Sequence, residues 1–191
     1  MRFLIVFLFL TAPAVTKQPG DFDYVFTSLQ KASENPEIVY HLDLSKSKLE
    51  LYPEELSSFA HLNSLNLSKN KISLLPAEIG DLVSLEELNL TRNKIVILPP
   101  QISKLVNLKV LNLSRNDVKI VPKEIGEMVL LESIDLWSNN VQQVHENITK
   151  LRNLKELDLQ GMLISDEMKQ QINAWLPNSK IQFSGGCGCG F

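Results

Sequence analysis

The chain has 191 residues, of which 44% are hydrophobic and 21% are charged. This composition is typical of a globular protein that is long enough for one continuous hydrophobic core. The formal net charge of −3 at pH 7 argues against nucleic acid as the main partner, because domains that bind nucleic acid are usually basic.

The amino-terminal residues differ in kind from the rest of the chain. Arg2 precedes eight apolar residues, Phe3–Leu10, and small residues at an A-x-A spacing follow at 12–14. This layout is typical of a secretory signal peptide, although Pro13 inside the cleavage motif is unusual. We therefore expect residues 1–14 to direct export, which would make the protein secreted or periplasmic. The alternative is a cytoplasmic protein whose apolar start covers one end of the folded domain.

The apolar run is too short to span a membrane, which takes about 18 to 20 residues, so no stable membrane insertion is expected.

Residues 15–38 are predicted to form a linker and an amino-terminal cap helix. The linker, residues 15–20, is polar and contains proline and glycine. From Asp21 to Pro36, apolar residues recur at helical spacing. They are Phe22, Val25, Phe26, Leu29 and Ala32. An amphipathic helix here would cover the edge of the first strand of the domain, and a helix that binds a partner is the alternative.

From residue 39 to residue 164 one pattern returns every 23 residues without insertion or deletion. Six frames open at Val39, Leu62, Leu85, Leu108, Leu131 and Leu154. The frames follow the spacing L-x-x-L-x-L-x-x-N-x-[LIV], and three of them continue with an apolar residue, proline and x-x-I-x-x-[LM]. A fixed period of this length is the signature of a solenoid, in which each repeat stacks on its neighbours.

This pattern resembles the leucine-rich repeat family, specifically its 23-residue class with the L-P-x-x-I continuation, over residues 39 to about 176. The resemblance implies an α/β solenoid with six parallel strands, short helical or irregular returns, and helical caps at both ends. The chain is similar both to short exported bacterial members and to the intracellular Ras-group members of the family. It lacks the cysteine-rich caps that are usual in extracellular animal members, because its two cysteines are Cys187 and Cys189.

Each frame is predicted to contain one short strand and one sharp turn. Leu65 and Leu67 alternate with polar residues at period two, which predicts a strand with one buried face. An asparagine closes the strand in four frames, where its amide can bond to backbone groups. These residues are Asn70, Asn93, Asn116 and Asn139. Ser47 and Met162 replace the asparagine in the outer frames, so the first and last turns need other support.

Residues 165–183 are predicted to form the carboxy-terminal cap. Ser165 and the two acidic residues after it are typical of a helix start, and Pro177 ends the helix. A final half strand is predicted from the alternating apolar residues Ile181 and Phe183. Residues 184–191 form a tail of glycines and two cysteines that is expected to be flexible.

The sequence contains no catalytic motif of the serine hydrolase, zinc protease or phosphate-loop type, so we predict a non-enzymatic protein without a cofactor. His41, His61 and His145 lie in different frames and lack metal-ligand spacing, so no metal site is expected. Cys187 and Cys189 are the only reactive pair. A redox or metal-handling role of this tail is therefore the alternative from another functional class.

The strand residues that point away from the core are predicted to form columns along the sheet. A polar-to-acidic column runs through Asp43, Asn66, Asn89, Asn112, Asp135 and Asp158. A basic column at the strand ends runs through Lys46, Lys69, Arg92 and Arg115 and continues with Ser138 and Gly161. A third column runs through His41, Ser64, Glu87, Val110, Ser133 and Glu156. Any one of these charged residues is expected on a surface exposed to solvent. Many such residues on one rigid surface favour a role in recognising a partner.

Trp137 stands where the four preceding frames have serine or threonine, just past the strand, and is expected to be exposed. Exposed aromatic residues and arginines are the usual anchors of protein interfaces. We therefore predict a module that binds another protein on the concave face of the repeat sheet; a cytosolic signalling scaffold of the Ras-group type is the alternative. The predicted binding residues are Glu87, Asn89, Arg92, Val110, Asn112, Arg115, Asp135 and Trp137.

Overall fold

The computed structural model describes residues 17–184, which form one parallel sheet of eight strands with short helices against it. The strands follow one another in the sheet in sequence order, β1 to β8. They are Val25–Phe26, His41–Asp43, Ser64–Asn66, Glu87–Asn89, Val110–Asn112, Ser133–Asp135, Glu156–Leu159 and Lys180–Phe183. Strands β2 to β7 each begin two residues after a frame opens, and the predicted parallel α/β solenoid is confirmed.

Neighbouring repeat strands pair in register, so residues 23 apart in sequence lie side by side. Because side chains alternate along a strand, the middle residue of each repeat strand points into the core and its two neighbours point away. These middle residues are at most 3% exposed, and they are Leu42, Leu65, Leu88, Leu111, Ile134 and Leu157. The exposed side of the sheet is therefore a set of straight columns, one residue from each strand.

Short 3₁₀ turns return the chain on the side opposite the sheet. They are Pro36–Ile38, Glu54–Ser58, Ala77–Asp81, Pro100–Lys104, Lys123–Glu127 and Glu146–Lys150. The last four each bury one isoleucine, Ile148 being the final one. Neighbouring turns pack so closely that a Cβ atom at Gly126 would overlap the carbonyl oxygen of Asn147, which explains the glycine there.

The strand-closing asparagines form the predicted ladder of buried hydrogen bonds. Asn93 donates from Nδ2 to the carbonyl oxygens of Leu67, at 3.0 Å, and Leu90, at 2.9 Å. Its Oδ1 accepts from the backbone N–H of Ile72 at 3.0 Å, so one side chain joins two repeats. The same arrangement occurs at Asn70, Asn116 and Asn139. At the last turn Met162 occupies this position and is buried against the core.

The amino-terminal cap differs from the predicted single helix. The structure has the two-residue strand β1 and the five-residue helix α1, Leu29–Ser33. Strand β1 pairs with β2, so backbone hydrogen bonds rather than a helix cover the edge of β2. The run Tyr24–Phe26 contains aromatic and β-branched residues, which favour a strand once a neighbouring edge is available.

The residues assigned to the apolar face of that helix consequently divide into two groups. Phe26 and Ala32 are buried in the core. Phe22 and Val25 are 63% and 48% exposed, and Phe22 packs its ring on Tyr40 with centroids 5.0 Å apart. The apolar spacing of a helix is thus divided between strand β1, in which Val25 is exposed and Phe26 is buried, and helix α1, which buries Ala32.

The carboxy-terminal cap agrees with the prediction. Helix α2, Asp166–Trp175, begins after Ser165, whose Oγ accepts from the backbone N–H of Met168 at 3.2 Å. The helix buries Ile172, and β8 then pairs with β7. Within residues 17–184 no helix has the length and apolar character needed to cross a membrane. The predicted signal peptide, residues 1–14, and the cysteine tail lie outside the described residues.

Candidate functional site

The register of the sheet brings five of the eight predicted binding residues into two neighbouring columns, and the other three lie in the turns that follow the strands. Glu87 lies beside Val110, and Asn89 lies beside Asn112, which in turn lies beside Asp135. We refer to the exposed residues of these strands and of the turns that follow them, residues 87–92, 110–115 and 133–138, as the sheet face. Val110 is 38% exposed, so an apolar side chain stands in the middle of a polar surface.

The polar-to-acidic column has a structural role that the sequence analysis missed. In every repeat strand the Oδ1 atom accepts a hydrogen bond from the backbone N–H two residues further on, at 2.7 to 3.3 Å. At Asn89 the donor is Thr91, and at Asp135 the donor is Trp137. This short side-chain bond stabilises the sharp turn at the end of the strand.

That structural role does not decide between asparagine and aspartate, because both supply the Oδ1 acceptor. The column nevertheless changes from amides at Asn89 and Asn112 to carboxylates at Asp135 and Asp158. The second side-chain atom, Nδ2 or Oδ2, is the one that differs. The face therefore changes from amide groups to negative charges along its length without a change in backbone structure.

The basic column coincides with a column of left-handed backbone. Lys46, Lys69, Arg92 and Arg115 have φ values of 57° to 58°, a conformation that costs a residue with a Cβ atom about 1 to 2 kcal/mol. Glycine or asparagine adopts it at lower cost, and the last repeat has Gly161 there with φ of 75°. The backbone thus gives no reason for four consecutive cations, and their side chains are exposed.

Arg115 and Trp137 are in direct contact across two repeats. The guanidinium carbon of Arg115 lies 4.4 Å from the centroid of the Trp137 ring, within the range of a cation–π interaction. The backbone N–H of Arg115 also donates to the carbonyl oxygen of Trp137 at 2.7 Å. Trp137 remains 36% exposed, so it packs on the neighbouring turn and still presents part of its ring to solvent.

Two further predicted residues, Glu87 and Arg92, lie in the third frame. Glu87 accepts a hydrogen bond from the Ser64 hydroxyl at 3.4 Å, and Arg92 holds the position of Arg115 one repeat earlier. Among residues 17–184, neither arginine forms an ion pair. Both guanidinium groups are therefore available to a carboxylate from another molecule.

A row of ion pairs beside the sheet face was not predicted. Lys109 pairs with Glu86 and Lys155 with Glu132, each with an N–O distance of 2.6 Å. The pair raises the pKa of Lys109, through its hydrogen bond and its attraction to Glu86. The alternation of acid and base at one frame position, residues 86, 109, 132 and 155, was the signal that could have revealed the row.

The three histidines are dispersed, as their frames predict. His145 replaces the proline at the start of a 3₁₀ turn, and its Nδ1 accepts from the backbone N–H of Asn147 at 3.1 Å. In the described part of the chain, no group of three or more histidine, cysteine, aspartate or glutamate side chains could hold a metal ion. Cys187 and Cys189 lie outside that part.

Comparison with known proteins agrees with this architecture. Residues 35–181 match the family described as leucine-rich repeat region. The chain is similar to a leucine-rich repeat protein of Leptospira interrogans, with 32% sequence identity and a TM-score of 0.60, covering 71% of this chain and 41% of that one. It also has the fold of internalin C2 from Listeria monocytogenes, with 21% identity and a TM-score of 0.70, covering 83% of this chain and 66% of that one.

The chain therefore spans less than two thirds of either protein. No curated protein matches it. Leucine-rich repeat regions generally serve as protein-interaction modules rather than as enzymes. With the match to residues 35–181 and the parallel sheet of 23-residue repeats, the chain belongs to the leucine-rich repeat family.

Proposed function

We propose that this chain is a non-catalytic module that binds another protein on the sheet face of its third to fifth frames. The observation that carries the proposal is the contact between Arg115 and Trp137, which places a large aromatic ring and a cation together on an exposed, rigid surface. Tryptophan and arginine are the residue types most enriched among those that dominate binding energy at protein interfaces.

The contact also reduces the entropic cost of binding. Ordering a long side chain at an interface costs about 0.5 to 1.5 kcal/mol, and the stacking on Trp137 already restricts Arg115 in the free protein. The backbone on both sides is fixed by the sheet, since Asn112 and Asp135 pair in register. In the free protein Arg115 and Trp137 are therefore already close to the arrangement that they would have in the complex.

The charges on the face define the chemistry of the partner. Arg92 and Arg115 offer two forked hydrogen-bond donors, which suit carboxylates. Asp135 follows the amide of Asn112 in the same column and suits a lysine or arginine. We propose that the partner presents carboxylates to the turn side of the face, a cation to Asp135, and an apolar group to Val110.

The double variant Trp137→Ala with Arg115→Ala tests this proposal. We expect it to reduce partner capture from the source cell at least tenfold, because it removes both anchors. Thermal unfolding should change little, since an exposed cation–π contact contributes only about 0.5 to 1 kcal/mol. The matched control is Lys69→Ala, which removes a cation from the same column and the same left-handed backbone but outside the proposed site.

Quantitative mass spectrometry of the captured proteins provides the readout. A protein that is lost with the double variant and retained with Lys69→Ala supports the sheet face of the third to fifth frames. Equal capture by all three forms would contradict the proposal and would direct attention to the convex side, where the 3₁₀ turns lie, or to the caps.

We also propose that the protein is exported. The support is the pattern of Arg2, Phe3–Leu10 and the small residues at 12–14. The intact mass and first residue of the native protein test it: a mature chain that starts near Val15 supports export. A native chain that keeps Met1 or Arg2 would favour the cytosolic scaffold instead.

A further inference from the structure

An open depression of about 580 Å³ lies on the flank where the chain passes from the strands of the first two frames to their 3₁₀ turns. Leu51 and Leu74 form part of its lining and are 77% and 67% exposed. They belong to a column of exposed aliphatic side chains that continues with Ile97 and Ile120. Soluble proteins usually hide such rows, so the flank offers apolar contact to a ligand.

Tyr52 distinguishes this depression from the rest of the flank. The corresponding residues of the next three frames are Leu75, Leu98 and Val121, which fill the core. Tyr52 is only 7% exposed, and its hydroxyl is buried without a hydrogen-bond partner among the described residues. An unpaired buried hydroxyl lowers the folding stability by about 1 to 3 kcal/mol. A leucine at this position has no hydroxyl and avoids that penalty.

The surroundings of this hydroxyl are acidic. Glu54 and Glu78 line the same depression. Burial raises the pKa of the Tyr52 hydroxyl, and the negative charges of Asp81 and Glu78 raise it further, so the phenol is neutral at physiological pH. Within the described ranges, neither Glu54 nor Glu78 forms an ion pair. The carboxylates that line the depression are thus acceptors without a cation among the described residues.

We propose that this depression binds a primary alkylammonium ion, an unbranched aliphatic chain that ends in a positive amine. The ammonium group has three donors and no acceptor, so it suits Glu78, Glu54 and the oxygen of Tyr52 together. The methylene chain lies along Leu51 and Leu74, where it removes apolar surface from water. The site has an apolar part and an acidic part, and a ligand with both an aliphatic chain and an ammonium group would contact both parts.

The Tyr52 hydroxyl is buried in the free protein, so the proposal requires side chains beside it to move as the amine enters. Leu51 and Leu74 line the depression and are mostly exposed. Pro76 completes the apolar wall and keeps the backbone of the second frame fixed. The site lies on a different side of the solenoid from the sheet face and is independent of the proposed protein-binding function.

Titration of the folded chain with n-pentylamine near neutral pH, followed by backbone amide chemical shifts in nuclear magnetic resonance, tests the proposal. We expect saturable shifts confined to the flank of the first two frames. n-Pentanol, which has the same aliphatic chain without the charge, should bind at least about tenfold more weakly, because hydrogen bonds to a charged group are the stronger kind.

Two variants and a matched control assign the residues. Glu78→Gln should weaken n-pentylamine binding about fivefold, as expected for the loss of one partly exposed charge pair. Tyr52→Phe keeps the packed ring and should weaken binding about tenfold, while the melting temperature of the free protein stays equal or rises. Glu124→Gln should have no effect. Glu124 has the same frame position as Glu78 two frames later, and the residue that corresponds there to Tyr52 is Leu98.

The absence of saturable shifts on this flank would overturn the proposal. Equal affinity for n-pentylamine and n-pentanol would also overturn it, because the site would then be merely apolar. An equal loss of affinity with Glu124→Gln and Glu78→Gln would show general attraction to an acidic surface and would likewise contradict a built site. These outcomes leave the sheet-face proposal untouched, since its test uses other residues.

Discussion

The buried turns and the sheet face contain the same residue type in different roles. Asn93 and Asn116 use both ends of their amides within the fold, and each joins backbone groups of two repeats. Asn89 and Asn112 lie four residues earlier, and the fold requires only their Oδ1 atoms. In the inner frames the buried position therefore uses both the donor and the acceptor of asparagine, while the sheet face needs only a short acceptor. Because the fold does not decide between asparagine and aspartate on the sheet face, that choice is free to serve the binding of a partner.

The largest effect should come from the buried turn. Asn116→Ala leaves the buried Ile95 N–H without its acceptor and removes one of the two amide donors to each of the Leu90 and Leu113 carbonyl oxygens, which keep Asn93 and Asn139. Since an unsatisfied buried N–H costs about 1 to 3 kcal/mol and each lost hydrogen bond about 0.5 to 1.5 kcal/mol, we expect destabilisation by about 3 kcal/mol. Urea unfolding followed by circular dichroism measures it. A loss below about 1 kcal/mol would show that water replaces the amide and that the ladder is not a main source of stability.

A smaller effect should follow on the sheet face. Asn89→Ala removes one bond to the Thr91 N–H, so we expect a loss of about 1 kcal/mol, comparable to the loss of a helix cap. Asn89→Asp keeps the acceptor and should leave the free energy of unfolding within about 0.5 kcal/mol of the original value. The same urea titration compares the two variants, and equal destabilisation by both would show that the fold does need the amide.

The smallest effect should come from the ion pairs beside the face. Lys109→Gln removes the exposed pair with Glu86, and the loss should disappear in 1 M salt, where the Debye length is about 3 Å. Because the pair raises the pKa of Lys109, its stabilisation is fully present at neutral pH and is lost only as the pH rises through the raised value. A salt-independent loss would indicate packing of the lysine stem rather than charge.

The sequence predicted the repeated part of the fold closely because two local signals agree there. The leucines at period two determine the strands, and asparagines such as Asn93 determine the turns. Pairing between neighbouring repeats then fixes the register of the sheet. The prediction of a single amino-terminal cap helix was right only for Leu29–Ser33, because tertiary pairing decides the structure of the residues before it. The spacing from Phe22 to Ala32 fits a helix, but Val25 and Phe26 meet the free edge of β2, and pairing across that edge is a tertiary effect.

The candidate surface was predictable in outline and not in its contacts. Position within a frame was enough to place Asn89, Arg92 and Arg115 on one side of the sheet. The left-handed backbone of the arginines and the stacking of Arg115 on Trp137 depend on dihedral angles and rotamers that no spacing encodes. Tyr52 was missed although it broke the row of aliphatic residues at its frame position, which was the available signal.

Site-specific photo-crosslinking tests the central claim most directly. A photoreactive amino acid replaces Val110 on the sheet face, and a matched form carries it at Ile97, an exposed aliphatic position on the flank. We predict that the probe at 110 crosslinks one protein in the source cell and that adding Trp137→Ala with Arg115→Ala abolishes the product. The probe at 97 should give no such product. The same crosslinked protein from both positions, or a product that survives the double variant, would contradict binding on the sheet face.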